Sequence, residues 1–330
     1  MNKMKSILAQ LRFHTALQLL PALESSEETL VGGQAVLEGV MMRSPHAWGI
    51  AVRKPDQTMA IHAEPLEKAS EKQPWKGWPF LRGIMTLGSA MVLGFKALRF
   101  SADVALEDEK NDKGEKLELN GWVAGLNIAI SLGFFIFMYK FLPFAAARGL
   151  RHRFPETSNQ AIFALVEGII RLSIFLAFIW LTSRWQDIRR VYQYHGAEHK
   201  TVFAFEDKQP LTPENVQRYS TFHPRCGTSF LMTVMILSIA IYALIPVHGF
   251  WMGFGMRLLL LPLIMGGSYE VIRYAAKKRS SLFALMTAPG LWLQRITTQP
   301  PDDTQVECAI AALNHAMELE AKHGGELVLA

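Results

Sequence analysis

The stretch Tyr194-His195-Gly196-Ala197-Glu198-His199-Lys200 has the form H-x-x-E-H. On a helix, residues four apart lie on one face, about one turn from each other. His195 and His199 can therefore offer two imidazoles to one divalent ion. Glu198 is placed to activate a water as general base, as in inverzincin peptidases. Three fixed residues in five also recur by chance, and the plain alternative is two ordinary histidines beside a solvated glutamate.

A second cluster follows in His223-Pro224-Arg225-Cys226-Gly227-Thr228-Ser229. His223 and Cys226 have ligand-like spacing, and Pro224 and Gly227 favour a tight turn that aims both at one point. His195, His199, His223 and Cys226 thus lie within one polar segment, and a Cys/His set suits zinc ahead of iron or copper. The alternative is a structural histidine and a buried thiol. A third patch, Gly32-Gly33-Gln34-Ala35-Val36-Leu37-Glu38-Gly39-Val40-Met41-Met42-Arg43, pairs glycines with Glu38 and Arg43. Those two residues are candidates for a ligand, a substrate contact or an ion pair. The patch is no phosphate loop, because it lacks the Gly-Lys-Ser/Thr ending.

The elements that position these residues are mostly membrane elements. Half of the 330 residues are hydrophobic, more than an ordinary soluble domain of this size carries. The net charge of +5 is mild and falls in the loops, so no nucleic-acid partner is expected. The two cysteines, Cys226 and Cys308, make no disulfide framework, and Cys308 sits in an apolar helical stretch as a core residue. Residues 1–28 read as an amphipathic segment on the membrane surface. Residues 29–66 read as a small β region, with strand candidates at Leu30–Val40, Trp48–Arg53 and Thr58–His62, that packs on the rest. Residues 67–290 form the helical membrane domain, and residues 291–330 end the chain in an amphipathic helix. Four spans are expected: Trp122–Pro143, Ala161–Thr182, Phe230–Val247 and Phe250–Tyr269.

The apolar stretch Pro79–Leu106 carries Arg82, Lys96 and Arg99 and is expected to be interfacial or re-entrant. Glu167 and Arg171 sit four apart inside the second span and read as neutralising each other, ahead of a role in ion passage. The site segment 183–229 is rich in Lys and Arg, as is the flank after Arg273, which places both in the cytoplasm. Arg148, Arg151 and Arg153 on the opposite side run against that rule.

Taken together, GGQAVLEGVMMRSP, the PFLRG start of the long apolar helix, YHGAEHKTVFAFE and HPRCGTSFL resemble the YqhQ-like bacterial membrane proteins, over roughly residues 31–290. Members of that family are described as uncharacterised or as predicted metal-dependent enzymes. The resemblance implies a bacterial inner-membrane location and a metal site, and the family motifs match Glu38, Arg43, His195, Glu198, His199, His223, Arg225 and Cys226 here. It supplies no substrate.

The fold class expected is therefore a mostly α membrane protein with about four transmembrane helices, interfacial helices and a small N-terminal β region. The leading functional reading is a metal-dependent hydrolase of peptidase or amidase type. His195 and His199 hold the metal, with Cys226 or His223 completing the shell; Glu198 activates water, and Arg43 or Arg225 steadies negative charge. A closed four-ligand zinc site that clamps a docking module is the second reading, since closed shells are structural. An ion or small-solute transporter is the third. The partners expected are the lipid bilayer, other membrane proteins and a second copy of the chain.

Overall fold

A computed structural model describes residues 31–66, 78–105, 121–154, 159–224, 226–246, 249–278 and 281–323. The expected amphipathic segment 1–28 lies outside the described residues. So does Arg225, one of the expected catalytic residues.

The N-terminal β region is a four-stranded antiparallel meander. Its strands are β1 (Gly32–Val36), β2 (Gly39–Arg43), β3 (Ala47–Arg53) and β4 (Met59–Pro65), paired in that order. Its alternation buries both faces. Val40, Met42 and Ala51 face one way, against the site helix α5 (Gln186–Glu206) and the C-terminal helix α10 (Asp303–His323). Met41, Ile50 and Val52 face the other way, against Leu93, Ala97 and Val104 of α1 (Leu81–Ala105). Three layers result: α1, the sheet, and the α5–α10 pair. Glu320 of α10 fastens the sheet, accepting bonds from the Ser44 hydroxyl and the His46 amide, each at 2.7 Å.

The remaining helices are long and apolar. The helix α2 (Gly121–Ile136) continues through a π turn at Phe137–Phe141 into α3 (Leu142–Arg153). Then come α4 (Gln160–Thr182), α6 (Gly227–Leu244), α7 (Phe250–Leu259), α8 (Leu261–Lys278) and α9 (Ser281–Thr297). Four described helices are long and apolar enough to cross a membrane: Leu81–Ala105, Gly125–Arg151, Gln160–Thr182 and Gly227–Leu244. The pair α7 and α8, bent by 42° at Leu260, could make a fifth crossing.

A parity argument decides among them. If α1, the α2–α3 helix and α4 all crossed, three crossings would put the sheet and α5 on opposite sides. Yet α5 packs directly on β1 and β2. The helix that does not cross is α1: one flank is occupied by the sheet, with Phe100 stacked on His62. Arg82 near its start pairs with Glu270 of α8. Met91, Val92 and Phe95 on its outer flank are at least half exposed, an apolar stripe suited to a membrane surface. The crossings are then α2–α3, α4, α6 and the broken α7–α8 span. By this argument the crossings number four, with the bent α7–α8 pair in place of Leu81–Ala105, itself long and apolar enough to cross.

Within the membrane region Glu167 is fully buried and joins three helices. It accepts from Arg171 on α4 at 2.5 Å and from Arg257 on α7 at 2.8 and 2.9 Å, while Arg171 also donates to Ser238 on α6 at 2.7 Å. The i, i+4 pair read from sequence thus has a third member that only folding brings in. Two further expectations change. The segment 183–229, read from sequence as a loop, is mostly helix: α5 is exposed near its start and buried from Gly196 to Ala204, Glu198 and Lys200 included. The expected boundary at residue 290 falls inside α9, which runs through Pro289.

The parity argument predicts sidedness. In a Cys226→Ser, Cys308→Ala background, single cysteines at Gln57, Trp122 and Lys208 should react together with an impermeant maleimide on sealed vesicles. A cysteine at Arg153 should react only from the opposite side. Labelling of Trp122→Cys together with Arg153→Cys would show that α1 crosses.

Candidate metal centre

The helix α5 holds His195, Glu198 and His199 on its buried flank, and two neighbouring backbone carbonyls fix the rings. His195 Nδ1 lies 2.8 Å from the Thr297 carbonyl at the end of α9, and His199 Nδ1 lies 2.5 Å from the Thr221 carbonyl. A carbonyl can only accept, so each Nδ1 carries the proton and each Nε2 keeps its lone pair. Both Nε2 atoms then turn toward Cys226, the residue that caps α6. Its Sγ is 3.4 Å from His195 Nε2, and one donor atom each from His195, His199 and Cys226 lies within 4.8 Å of the others. His199 Nε2 is buried and has no hydrogen-bond partner. An orphaned buried nitrogen of this kind costs about 1–3 kcal/mol and is what a metal ligand looks like before the metal is counted. A set of two imidazoles and a thiolate suits zinc.

Glu198 sits beside the triad. Its Oε2 is 3.8 Å from the Nε2 of both histidines, too far for a hydrogen bond but near enough to face whatever the triad holds. The approach depends on Gly33 of β1: a Cβ there would stand 2.8 Å from Glu198 Cγ and 2.5 Å from the Met41 carbonyl oxygen. A glycine at 196 is needed for a similar reason, since the Gln299 carbonyl packs against it. A cavity of about 380 Å³ opens over the site, walled by β1, α5 and the start of α6. Gly227 and Thr228 line it with the first amides of α6, which have no partner within the helix.

The expected site residues divide accordingly. His195, His199, Cys226 and Glu198 are brought together. His223 borders the cavity, its ring centroid 5.7 Å from that of His199, but its Nε2 points to Glu206 at 3.5 Å. Burial pushes its pKa down to about 4, so the ring is neutral. It stands beside the three-donor set rather than within it. Arg43 pairs with Gly32 in the sheet but does not line the cavity, and burial lowers the pKa of its guanidinium, which lies near Tyr269. Glu38 takes up the ion-pair option: it caps the β1–β2 turn at φ 50° and binds Arg190 of α5 through two guanidinium nitrogens.

Four contributors escaped the sequence reading. Gln294 of α9 holds the His223 backbone from both sides, accepting from its amide at 2.7 Å and donating to its carbonyl at 2.8 Å. Thr221 and Thr297 act through backbone carbonyls, which no side-chain pattern announces. Glu206 had a usable signal, since it follows His199 by two helical turns.

A family model described as "Protein of unknown function (DUF1385)" matches residues 78–319. The chain is 36% identical over 301 residues to "Uncharacterized protein YqhQ" of Bacillus subtilis (strain 168), covering 88% of this chain and 93% of that protein. No solved structure matches the chain. Neither description names a metal or a reaction.

The Gly33–Glu198 approach is testable by overpacking. Gly33→Val should destabilise the protein by about 1–3 kcal/mol, read as a lower thermal midpoint in detergent. Gly32→Val, where a Cβ meets nothing within 4 Å, should leave the midpoint within error. Equal effects at both positions would refute the packing argument.

Proposed function

The chain belongs to the DUF1385 family of proteins of unknown function, and we propose that it is a membrane-bound, metal-dependent hydrolase. The observation that carries this reading is the count of donors. Three side chains converge, and Glu198 Oε2 lies 3.8 Å from the Nε2 of both histidines. Three protein ligands with a neighbouring carboxylate is the arrangement of a catalytic zinc site, whereas a structural site has four ligands and no vacancy. The turn of His223 toward Glu206 argues against the closed, clamping alternative.

His195, His199 and Cys226 would hold the ion, and zinc bound there supplies Lewis acidity and an acidified water. Glu198 takes the proton from the attacking water and returns it to the leaving group, a role worth roughly 10²–10⁴ in rate. The first amides of α6, at Gly227 and Thr228, can donate to the negative charge that develops on the attacked carbonyl oxygen. Arg43 is too far back in the sheet for the charge-steadying role expected of it. The carbonyls of Thr297 and Thr221 hold the two rings in the ligating orientation.

The reading places the site at the cytoplasmic face of a bacterial inner membrane. The support is charge: Arg184, Arg189, Arg190 and Lys208 lie on the site side, around α5. Arg148 and Arg151, on the other side, stand over the Phe250 and Phe163 rings.

Metal content separates the roles. The purified protein should carry one equivalent of zinc. His195→Ala, His199→Ala and Cys226→Ser should each lower that stoichiometry severalfold. His223→Ala should keep the zinc, and Glu198→Gln should keep it while abolishing hydrolysis. Loss of zinc from Glu198→Gln would make Glu198 a ligand and end the hydrolase reading. One full equivalent of zinc in the double histidine variant would show that the site lies elsewhere.

A further inference from the structure

The cavity runs along an open strand edge. Its wall includes five consecutive residues, Val31 to Ala35. Alternate residues of a strand point to opposite faces, so an unbroken run means that the edge of β1, and not one of its faces, borders the space. Among the described residues β1 pairs only with β2.

The phase of the ladder tells which backbone groups are left over. The Arg53 amide donates to the Glu38 carbonyl, which makes Gly39 and Val52 a non-bonded pair and turns the Gly39 groups toward β1. Gly39 is therefore bonded to Val36, and Gln34 to Met41. Ala35 opposite Val40 and Gly33 opposite Met42 are the non-bonded pairs. The N–H and C=O groups of Gly33 and Ala35 point away from the sheet, spaced by two residues, about 6.8 Å.

The two edges of the sheet are treated differently. Proteins blunt exposed edges with charge and proline. The outer strand β4 carries Glu64 and Pro65, and Lys96 of α1 sits 3.7 Å from that glutamate. The sequence of β1, Gly-Gly-Gln-Ala-Val, has no charge and no proline, and its two glycines place no side chain in the way. The unprotected edge is the one beside the metal donors. Gly33, whose outward groups have no backbone partner among the described residues, is also the residue against which Glu198 packs.

We propose that the substrate is an extended polypeptide segment that adds to β1 as a fifth strand, bonded through the outward groups of Gly33 and Ala35. This deepens the hydrolase reading and rests on it. Only an extended polypeptide presents alternating donors and acceptors at the two-residue repeat the edge offers. A strand docked about 4.8 Å from β1 runs through the cavity past the triad. Water oxygen then adds to a carbonyl carbon, and the C–N bond breaks. One water proton passes through Glu198 to the leaving nitrogen as the bond breaks and the other follows it from the new carboxylic acid, giving a carboxylate and a protonated amine.

The test uses the full-length, zinc-loaded Glu198→Gln variant, which cannot turn over its ligand, in nanodiscs. The probe is reduced, carboxymethylated α-lactalbumin, an unfolded polypeptide. Amide exchange at Gly33 and Ala35 should slow at least tenfold on adding the probe, while Gln34 and Val36, already bonded to β2, should change little. Ala35→Pro removes one outward donor and spares the ladder, a substitution edge strands tolerate. It should keep the zinc and the thermal midpoint and lose probe binding tenfold or more. Unchanged exchange at Gly33 and Ala35 in a zinc-loaded sample would overturn the proposal and leave the hydrolase reading standing. The same slowing produced by phosphatidylglycerol without polypeptide would give the cavity to a lipid headgroup and also overturn it. Probe protection in a sample that binds no zinc would sink the hydrolase reading and keep the edge as a polypeptide site.

Discussion

Two imidazoles can face one point only if the other nitrogen of each is already engaged, and here two backbone carbonyls engage them. Each such bond contributes only about 0.5–1.5 kcal/mol of net stability. Its larger effect is orientation, because it fixes the tautomer and turns both lone pairs inward. The rest of the fold serves to bring those carbonyls to α5. Thr297 ends α9, and Thr221 lies in the segment before α6, so the rings are set only when both are docked. Gly196 lets the Gln299 carbonyl approach the helix, and Gln294 locks the His223 turn that leads to Cys226. The ligand set is therefore a product of tertiary packing around one helix.

The layered body and the membrane helices are tied by the same logic. The sheet buries one face on α1 and the other on α5 and α10, which forces all three helices to its own side of the bilayer. The crossings must then come in pairs between them. Inside the membrane, Glu167 sits between Arg171 and Arg257 with almost no exposure. Desolvating such groups is costly, and deleting one member of a buried ion pair costs about 3–5 kcal/mol. The cluster thus holds α4 to α7 just before the break at Leu260. Both oxygens of Glu167 are bonded to the two guanidinium groups, which gives the cluster a structural role in joining α4 to α7.

How much of this could be read in the sequence follows from range. His195, Glu198 and His199 were legible because helical period alone puts them together, and Cys226 because its turn residues set it apart. The interfacial nature of Leu81–Ala105 was legible from Arg82, Lys96 and Arg99, which a span would not tolerate. His223 stands beside the three-donor set with its Nε2 3.5 Å from Glu206, a neighbour that its spacing from Cys226 does not announce. Arg43 sounded catalytic because its neighbours on the patch approach the site, but β2 lies one strand behind the wall. Glu38 was ambiguous until Arg190 met it. What pattern could not carry was every contact made by a backbone carbonyl, and those contacts set the geometry.

The number of donors also bears on what the site is for. With three donors, the Glu198 carboxylate stands 3.8 Å from each ring nitrogen, and the cavity gives access from the β1 side. His199 and Glu198 are buried, while His195 and Cys226 keep partial exposure toward the cavity. The glycine at 33 lies in the opposite wall: any side chain would have filled the space that Glu198 occupies. Three convergent donors, a flanking carboxylate and a strand edge without charge or proline meet in one place, and the hydrolase proposal rests on that conjunction.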